Sequence, residues 1–204
     1  MSYCSWFLTN NLQREYHEEW GTPLHDDKMQ FEYLSLEVMQ CGLNFGLVLR
    51  KRNILRMCFD DFDFDKVATY NDKDVERIMH TDGMIKSERK IRAIISNAAA
   101  YLRIRKEFGT FSDYLWAFTD NKTVLYKGHD KGLIPASNLL SEKISKDLKK
   151  RGFKYLGPVV TYSYLQACGI INDHDAACPR RNYLIEHYKT VVKQRSGEKG
   201  VQQY

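Results

Sequence analysis

Apolar residues recur along this chain at three- and four-residue intervals, the spacing that gathers side chains on one face of an α-helix. Residues 27–42 carry Phe31, Leu34, Val38 and Cys41 on one stripe. Residues 45–58 continue with Phe45, Val48, Leu49 and Leu55. The clearest helix spans 88–107: Ser87 stands at the N-cap, Ile91, Ile94, Ile95, Ala98 and Leu102 share a face, and Gly109 follows the end. Shorter helices are expected at 73–80 and 112–118. A helix over 138–151 runs through Leu140, Ile144 and Leu148 and stops at Gly152, and one over 158–168 opens on Pro158 and closes at Gly169. Residues 180–194 place Leu184, Tyr188, Val191 and Val192 on one helical face. Alternating, strand-like patterns are scarce. The stretch 120–136, with two glycines and a proline, reads as a loop, and 195–204 reads as a frayed end. The pattern predicts an all-α fold class with no internal repeat.

Composition narrows the class. The 204 residues are 43% hydrophobic and 13% aromatic, which suits a globular domain with a substantial core rather than a disordered chain. No stretch approaches the roughly 20 apolar residues of a membrane span. The first residues lack a basic region followed by an apolar run, so no secretory signal is expected. Five cysteines without a repeated framework favour a reducing, cytoplasmic setting.

Net charge is +5, and its distribution says more than its size. Residues 146–154 hold Lys146, Lys149, Lys150, Arg151 and Lys154 against the single acid Asp147. Other basic runs are Arg50, Lys51, Arg52 and Arg56, and Lys86, Arg89, Lys90 and Arg92. Such patches suit a polyanionic partner, although solvated helix faces produce the same runs. Around the first run, Gly152 and Gly157 bound a short hairpin between two helices, the second started by Pro158. Backbone N–H groups at such a turn and helix start can face a phosphate, with lysines adding charge. A plain helical hairpin is the other reading.

Glu37 lies beside the apolar stripe of its helix, where an unpaired charge is costly. Trp6, Phe7, Tyr16, Trp20, Phe31, Tyr33 and Phe45 crowd the same part of the chain. Aromatic walls and one carboxylate suit a flat, cationic heterocycle, which the rings stack on and the carboxylate neutralises. Core packing for the rings and an internal ion pair for Glu37 stand against that reading.

Cys4 and His17 at one end, and His174 and Cys178 at the other, make up a Cys₂His₂ set of the kind Zn²⁺ favours. His174 and Cys178 are close enough to converge locally; the other two come from far away. The spacing leaves open a buried free Cys4, a surface His17 and an unrelated His/Cys pair.

Taken in order, these residues resemble the DNA-3-methyladenine glycosylase I family, from Cys4 to about Cys178. The markers are Cys4-x-Trp6, Tyr16-His17, Glu19-Trp20-Gly21-x-Pro23, and Leu36-Glu37-x-x-Gln40-x-Gly42-Leu43. Asp74-Val75-Glu76-Arg77, Lys90-Ile91-x-Ala93-Ile94-Ile95-x-Asn97-Ala98 and Leu148-Lys149-Lys150-Arg151-Gly152-Phe153-Lys154 follow. Gln166-Ala167-Cys168-Gly169 and Asn172-Asp173-His174 close the series. The resemblance implies a helix-hairpin-helix glycosylase fold over 1–178, with 179–204 as a further helix and tail. It implies one structural Zn²⁺ on Cys4, His17, His174 and Cys178, joining the N- and C-terminal segments. It implies Glu37 as the catalytic residue, through base recognition and electrostatic support and not as a general base, in a base pocket with Tyr16, Trp6, Trp20 and Phe45. It also implies a DNA-backbone clasp by Lys149, Lys150, Gly152, Lys154 and Gly157.

Two departures bear on the pocket. Where the family reads Gly-Leu-Ser-Trp, this chain has Gly42-Leu43-Asn44-Phe45, and the His17–Trp20 spacing is one residue shorter than a common family version. The implied activity is hydrolysis of the glycosidic bond of 3-methyladenine in double-stranded DNA, by base flipping and without strand cleavage. The setting would be the bacterial cytoplasm, at the nucleoid, with no membrane and no obligate protein partner. The alternative is a non-catalytic binder of alkylated or damaged DNA on the same fold. Asp173, sixteen residues after Gly157, is a candidate catalytic aspartate by spacing, but its neighbour His174 favours a structural role.

Overall fold

A computed structural model describes Cys4, residues 11–129 and residues 134–200. These residues form α1 (Asn11–Glu19), α2 (Asp27–Gln40), α3 (Phe45–Arg50), α4 (Arg52–Cys58), α5 (Phe64–Val67) and α6 (Asp72–His80). Next come α7 (Glu88–Phe108), α8 (Phe111–Trp116), β1 (Thr123–Tyr126), α9 (Leu139–Lys150), α10 (Pro158–Ala167), α11 (Pro179–His187) and β2 (Thr190–Lys193). No helix among the described residues is long and apolar enough to cross a membrane.

The centre of the molecule is α2. Asp26 caps it by accepting from Met29 N–H at 2.8 Å. Every residue from Gln30 to Met39 is buried, because α3, α7, α8 and α10 pack around it. The aromatic core continues from Phe31 to Tyr101, whose ring stacks on Phe111 with centroids 4.0 Å apart. Enclosure on all sides also buries the polar residues of α2, each of which then needs a partner. Gln30 Nε2 donates to Leu24 O at 2.6 Å, and Ser35 Oγ donates to Phe31 O at 2.8 Å. Glu32 accepts from Arg52 Nε at 2.6 Å and Arg56 Nε at 2.9 Å. The C-terminal carbonyls are capped from α7: Lys90 Nζ donates to Met39 O at 2.8 Å and Cys41 O at 2.6 Å.

Helices α9 and α10 pack together and carry the glycine-bounded turn between them. Phe153 and Leu156 are buried beneath that turn. Asn97 of α7 grips it from both directions, donating from Nδ2 to Lys154 O at 3.1 Å and accepting from Lys154 N at 2.8 Å.

The molecule is mostly helical, but β1 and β2 form a parallel pair with Thr123 opposite Thr190 and Tyr126 opposite Lys193. The predicted helix over 180–194 ends at His187, and Val191 and Val192 lie in β2. Four-residue strands are too short to display alternation, and their hydrogen-bond partner is remote in sequence. The predicted helix over 45–58 is interrupted at Lys51, giving α3 and α4. The described part of the tail is not frayed. Lys199 and Ser137 exchange backbone hydrogen bonds at 3.0 and 3.2 Å, and Glu198 accepts from His129 Nε2 at 2.7 Å.

Candidate functional site

Glu37 differs from the other buried polar residues of α2. It is 5% exposed, yet among the described residues no side chain hydrogen bonds to its carboxyl. Burial alone pushes its pKa up to about 8. Tyr16, on α1, is near enough for the Glu37 charge to raise its own hydroxyl, after the larger effect of burial. The Tyr16 ring lies 5.0 Å from that of Phe45 and 6.1 Å from that of Tyr33. Phe45 is half-buried at the start of α3. The structure therefore brings Glu37, Tyr16 and Phe45 together. Trp6 lies outside the described residues. Trp20 is buried with its ring edge-on to His174, centroids 4.7 Å apart.

A second layer holds the aromatic wall, and its members are remote from one another in sequence. Arg52 Nη1 donates to Glu19 at 2.8 Å, while its Nε is held by Glu32. Its guanidinium stands over Tyr33 at 5.6 Å and Tyr16 at 6.0 Å. Tyr33 in turn donates its hydroxyl to Glu19 at 3.0 Å. Glu19 and Arg52 are 33 residues apart, so no local pattern could have paired them. The same contacts withdraw Arg52 and Arg56 from their basic run. Lys90 and Arg92 are likewise engaged, the first by α2 and the second by Glu88 and Asp72.

Cys4, His17, His174 and Cys178 converge, all buried, with their ligand atoms within 4.8 Å of one another. Cys4 Sγ is 3.4 Å from His174 Nδ1. Cys178 Sγ is 3.5 Å from His17 Nε2 and 3.7 Å from His174 Nδ1. Bonds of about 2.0–2.3 Å arranged tetrahedrally about one ion place neighbouring ligand atoms about 3.3–3.8 Å apart. The four residues thus have the donor chemistry and spacing for a metal ion. His174 Nε2 faces Trp20 O at 3.2 Å, which leaves Nδ1 to turn inward. The Cys178 thiol is pulled down by Cys4 and the two histidines, while Cys4 is pushed up by its hydrogen bond with Cys178 and by burial. Close backbone approach makes this possible. A side chain at Gly21 would meet His174 Nε2 at 2.8 Å, and one at Gly169 would meet Gly21 O at 2.6 Å.

Asp173 is not open to a substrate. It accepts from Tyr162 Oη at 2.6 Å, Gln166 Nε2 at 2.8 Å and His129 Nδ1 at 2.8 Å, and its side chain is fully buried. His129 donates from both ring nitrogens, to Asp173 and to Glu198. Burial opposes its charge, but the two carboxylates prevail and raise its pKa.

At the turn between α9 and α10, Lys149, Lys150, Gly152, Lys154 and Gly157 are all exposed. Arg151 is different: it donates to Asp147 and Glu107, both at 2.7 Å, so its charge is used internally. The turn adjoins the Glu37 helix, where Cys41 Sγ lies 3.6 Å from Glu37 O and 3.9 Å from Tyr155 O.

Glu37 is thus a buried carboxyl near Tyr16 with no side-chain partner among the described residues, one helical turn before Cys41, which meets the exposed turn between α9 and α10. The family model for methyladenine glycosylase matches residues 6–181, and the chain belongs to that family. It is 42% identical over 179 residues to DNA-3-methyladenine glycosylase 1 of Escherichia coli (strain K12), covering 87% of this chain and 96% of the relative. It is 36% identical over 177 residues to DNA-3-methyladenine glycosylase of Haemophilus influenzae, covering 86% and 96%. Among solved structures, it is similar to 3-methyladenine DNA glycosylase I from Staphylococcus aureus, a structure concerned with 3-methyladenine recognition. That likeness has a TM-score of 0.82 and 34% identity, covering 87% of this chain and 95% of the other.

Proposed function

We propose that this chain is a DNA glycosylase that releases 3-methyladenine from alkylated double-stranded DNA by base flipping, without cutting the strand. The observation that carries this reading is Glu37, a buried carboxyl with no partner among the described residues, near Tyr16, whose ring packs on Phe45. Such a group is costly to the folded chain unless a ligand supplies the missing hydrogen bonds.

The chemistry asks little of a general acid. A 3-methylated adenine in DNA is cationic, so its glycosidic bond is already weakened. When that bond breaks, its electron pair stays with the base, which leaves neutral, and C1′ becomes oxocarbenium-like. Water adds to C1′ and loses a proton to solvent, giving an abasic site. In this reading Tyr16, Phe45, Trp6 and Trp20 stack on or enclose the flipped base. Glu37, once ionised, accepts its N–H groups and offsets its charge. Lys149, Lys150 and Lys154, with the backbone at Gly152 and Gly157, hold the DNA strand as a helix-hairpin-helix clasp. Asp173 takes no part, because its acceptors are occupied.

Cys4, His17, His174 and Cys178 would hold one Zn²⁺, which supplies a structural tie between the chain's two ends rather than an open coordination position. Residues 1–178 then form one glycosylase domain, closed by that tie, with 179–204 added to it. The deciding experiment is incubation with methylated duplex DNA and chromatography of the released bases. Release of 3-methyladenine in preference to 7-methylguanine supports the reading. Selective binding of methylated DNA with no release makes the chain a damage binder instead.

A further inference from the structure

Tyr155 stands at the apex of the 151–157 hairpin with φ of 62°, a left-handed conformation that a bulky side chain rarely adopts. Most other residues with positive φ outside glycine are aspartates and an asparagine, which tolerate that region. Phe62 shares the conformation, but its ring is fully buried in the core, which offsets the strain. Tyr155 has no such compensation. It is 39% exposed, and its ring makes no aromatic contact among the described residues.

Its neighbours force the conformation. Lys154 is held through both its N–H and its carbonyl by Asn97. Leu156 is buried, and its carbonyl accepts from Ser145 Oγ at 2.7 Å and Thr161 Oγ1 at 3.3 Å. The Cys41 thiol faces the Tyr155 carbonyl at 3.9 Å. A glycine would satisfy a purely structural turn at this point with less strain. The turn instead presents an aromatic ring outward, on a backbone braced on both sides, and strain of this kind collects at functional positions.

The surroundings indicate what the ring meets. Lys149, Lys150 and Lys154 are exposed and form no ion pair among the described residues, so the surface around Tyr155 is basic. Val159, also exposed, lies just beyond on α10. An aromatic ring set among lysines suits a nucleic-acid strand: the charges track phosphates while the ring packs on a sugar or base face. Cys41 lies four residues beyond Glu37, at the end of the central helix, and its thiol meets the Tyr155 carbonyl, which puts the apex of the hairpin beside the helix that carries Glu37.

We propose that Tyr155 is a DNA-contacting residue, its ring packing against the strand that carries the flipped nucleotide. The proposal rests on the glycosylase reading above and adds to the backbone clasp an interaction that the lysines and glycines cannot make. It does not involve the hydroxyl, so phenylalanine should serve nearly as well.

The test uses the whole 204-residue chain, purified without chelators, with Tyr155→Gly, Tyr155→Asn and Tyr155→Phe. Four quantities are read: thermal midpoint, affinity for free 3-methyladenine, affinity for a duplex bearing a tetrahydrofuran abasic analogue, and single-turnover base release. Tyr155→Gly and Tyr155→Asn should keep the wild-type midpoint or exceed it, and should bind free base unchanged. Their duplex affinity should fall about fivefold or more, the low end of what one aromatic–base stack supplies. Tyr155→Phe should bind duplex within about twofold of wild type. Wild-type duplex affinity in both Tyr155→Gly and Tyr155→Asn overturns the proposal. So does a loss of stability in Tyr155→Gly and Tyr155→Asn that accounts for the weaker binding, because the ring is then structural. Failure of the wild type to release base sinks the glycosylase reading alone, since the duplex measurement still tests the Tyr155 ring against DNA.

Discussion

Cys178 Sγ lies 3.5 Å from His17 Nε2, across 161 residues of chain. With Cys4 and His174 alongside, this contact ties the start of the chain to its last quarter. Protein purified without added metal should contain about one zinc ion per chain. Cys178→Ala should lose the metal and unfold at markedly lower temperature, because structural metal binding is coupled to folding. Full metal content and unchanged stability in that variant would rule the site out.

Replacing Lys149, Lys150 and Lys154 with alanine should weaken binding to every duplex, damaged or not. The plot of log affinity against log salt should flatten by up to about 0.9 for each phosphate that is no longer neutralised. An unchanged slope means that these lysines do not meet the backbone. Arg151→Ala should act differently. It removes the ion pairs with Asp147 and Glu107, so it should destabilise the fold and leave the salt slope near wild type.

Glu37→Gln removes the charge and keeps the shape. Loss of one charged hydrogen bond should slow 3-methyladenine release by on the order of 1.5–3 kcal/mol of barrier, roughly 10- to 150-fold. Stability should move the other way. Glu37 has a folded-state pKa of about 8 against an ordinary value of 4.5, so its ionisation works against the folded chain. The wild type should therefore lose stability relative to Glu37→Gln as pH rises from about 4.5 to 8, with no further divergence above that. Denaturant unfolding of the two proteins across this range checks the sign. Phe45→Trp, adding stacking area beside Tyr16, should hold or raise affinity for the free base.

His129 should give the opposite pH signature. Its pKa is raised in the folded state by Asp173 and Glu198 against the cost of burial. Its contribution to stability is complete below the ordinary histidine value of 6.5 and disappears as pH rises through the higher folded value. The strap formed by residues 188–200 should then become easier to cleave by protease at alkaline pH. His129→Asn should abolish that pH dependence, and a wild type equally resistant at about pH 6 and about pH 9 would contradict it.

Much of the fold was legible along the chain because helices are local. The 3.6-residue stripe of α7, Gly152 beyond the end of α9, Pro158 at the start of α10 and Gly169 beyond its end each announce an element within a few residues. The soft ligands Cys4, His17, His174 and Cys178 were also visible as residue types, as were Glu37 and its aromatic neighbours. What distance along the chain concealed, only tertiary structure decided. Arg52, counted in a basic patch, is an internal bracket for Tyr16 and Tyr33, because Glu19 and Glu32 face it across a helix boundary. Thr190–Lys193 is a strand and not a helix, because its hydrogen bonds go to Thr123–Tyr126. Asp173 is a structural acceptor because Tyr162, Gln166 and His129 converge on it. Periodicity reports which way a side chain faces relative to its own helix. Whether a buried carboxyl there is matched, as at Glu32, or has no side-chain partner among the described residues, as at Glu37, depends on what the rest of the chain brings to it.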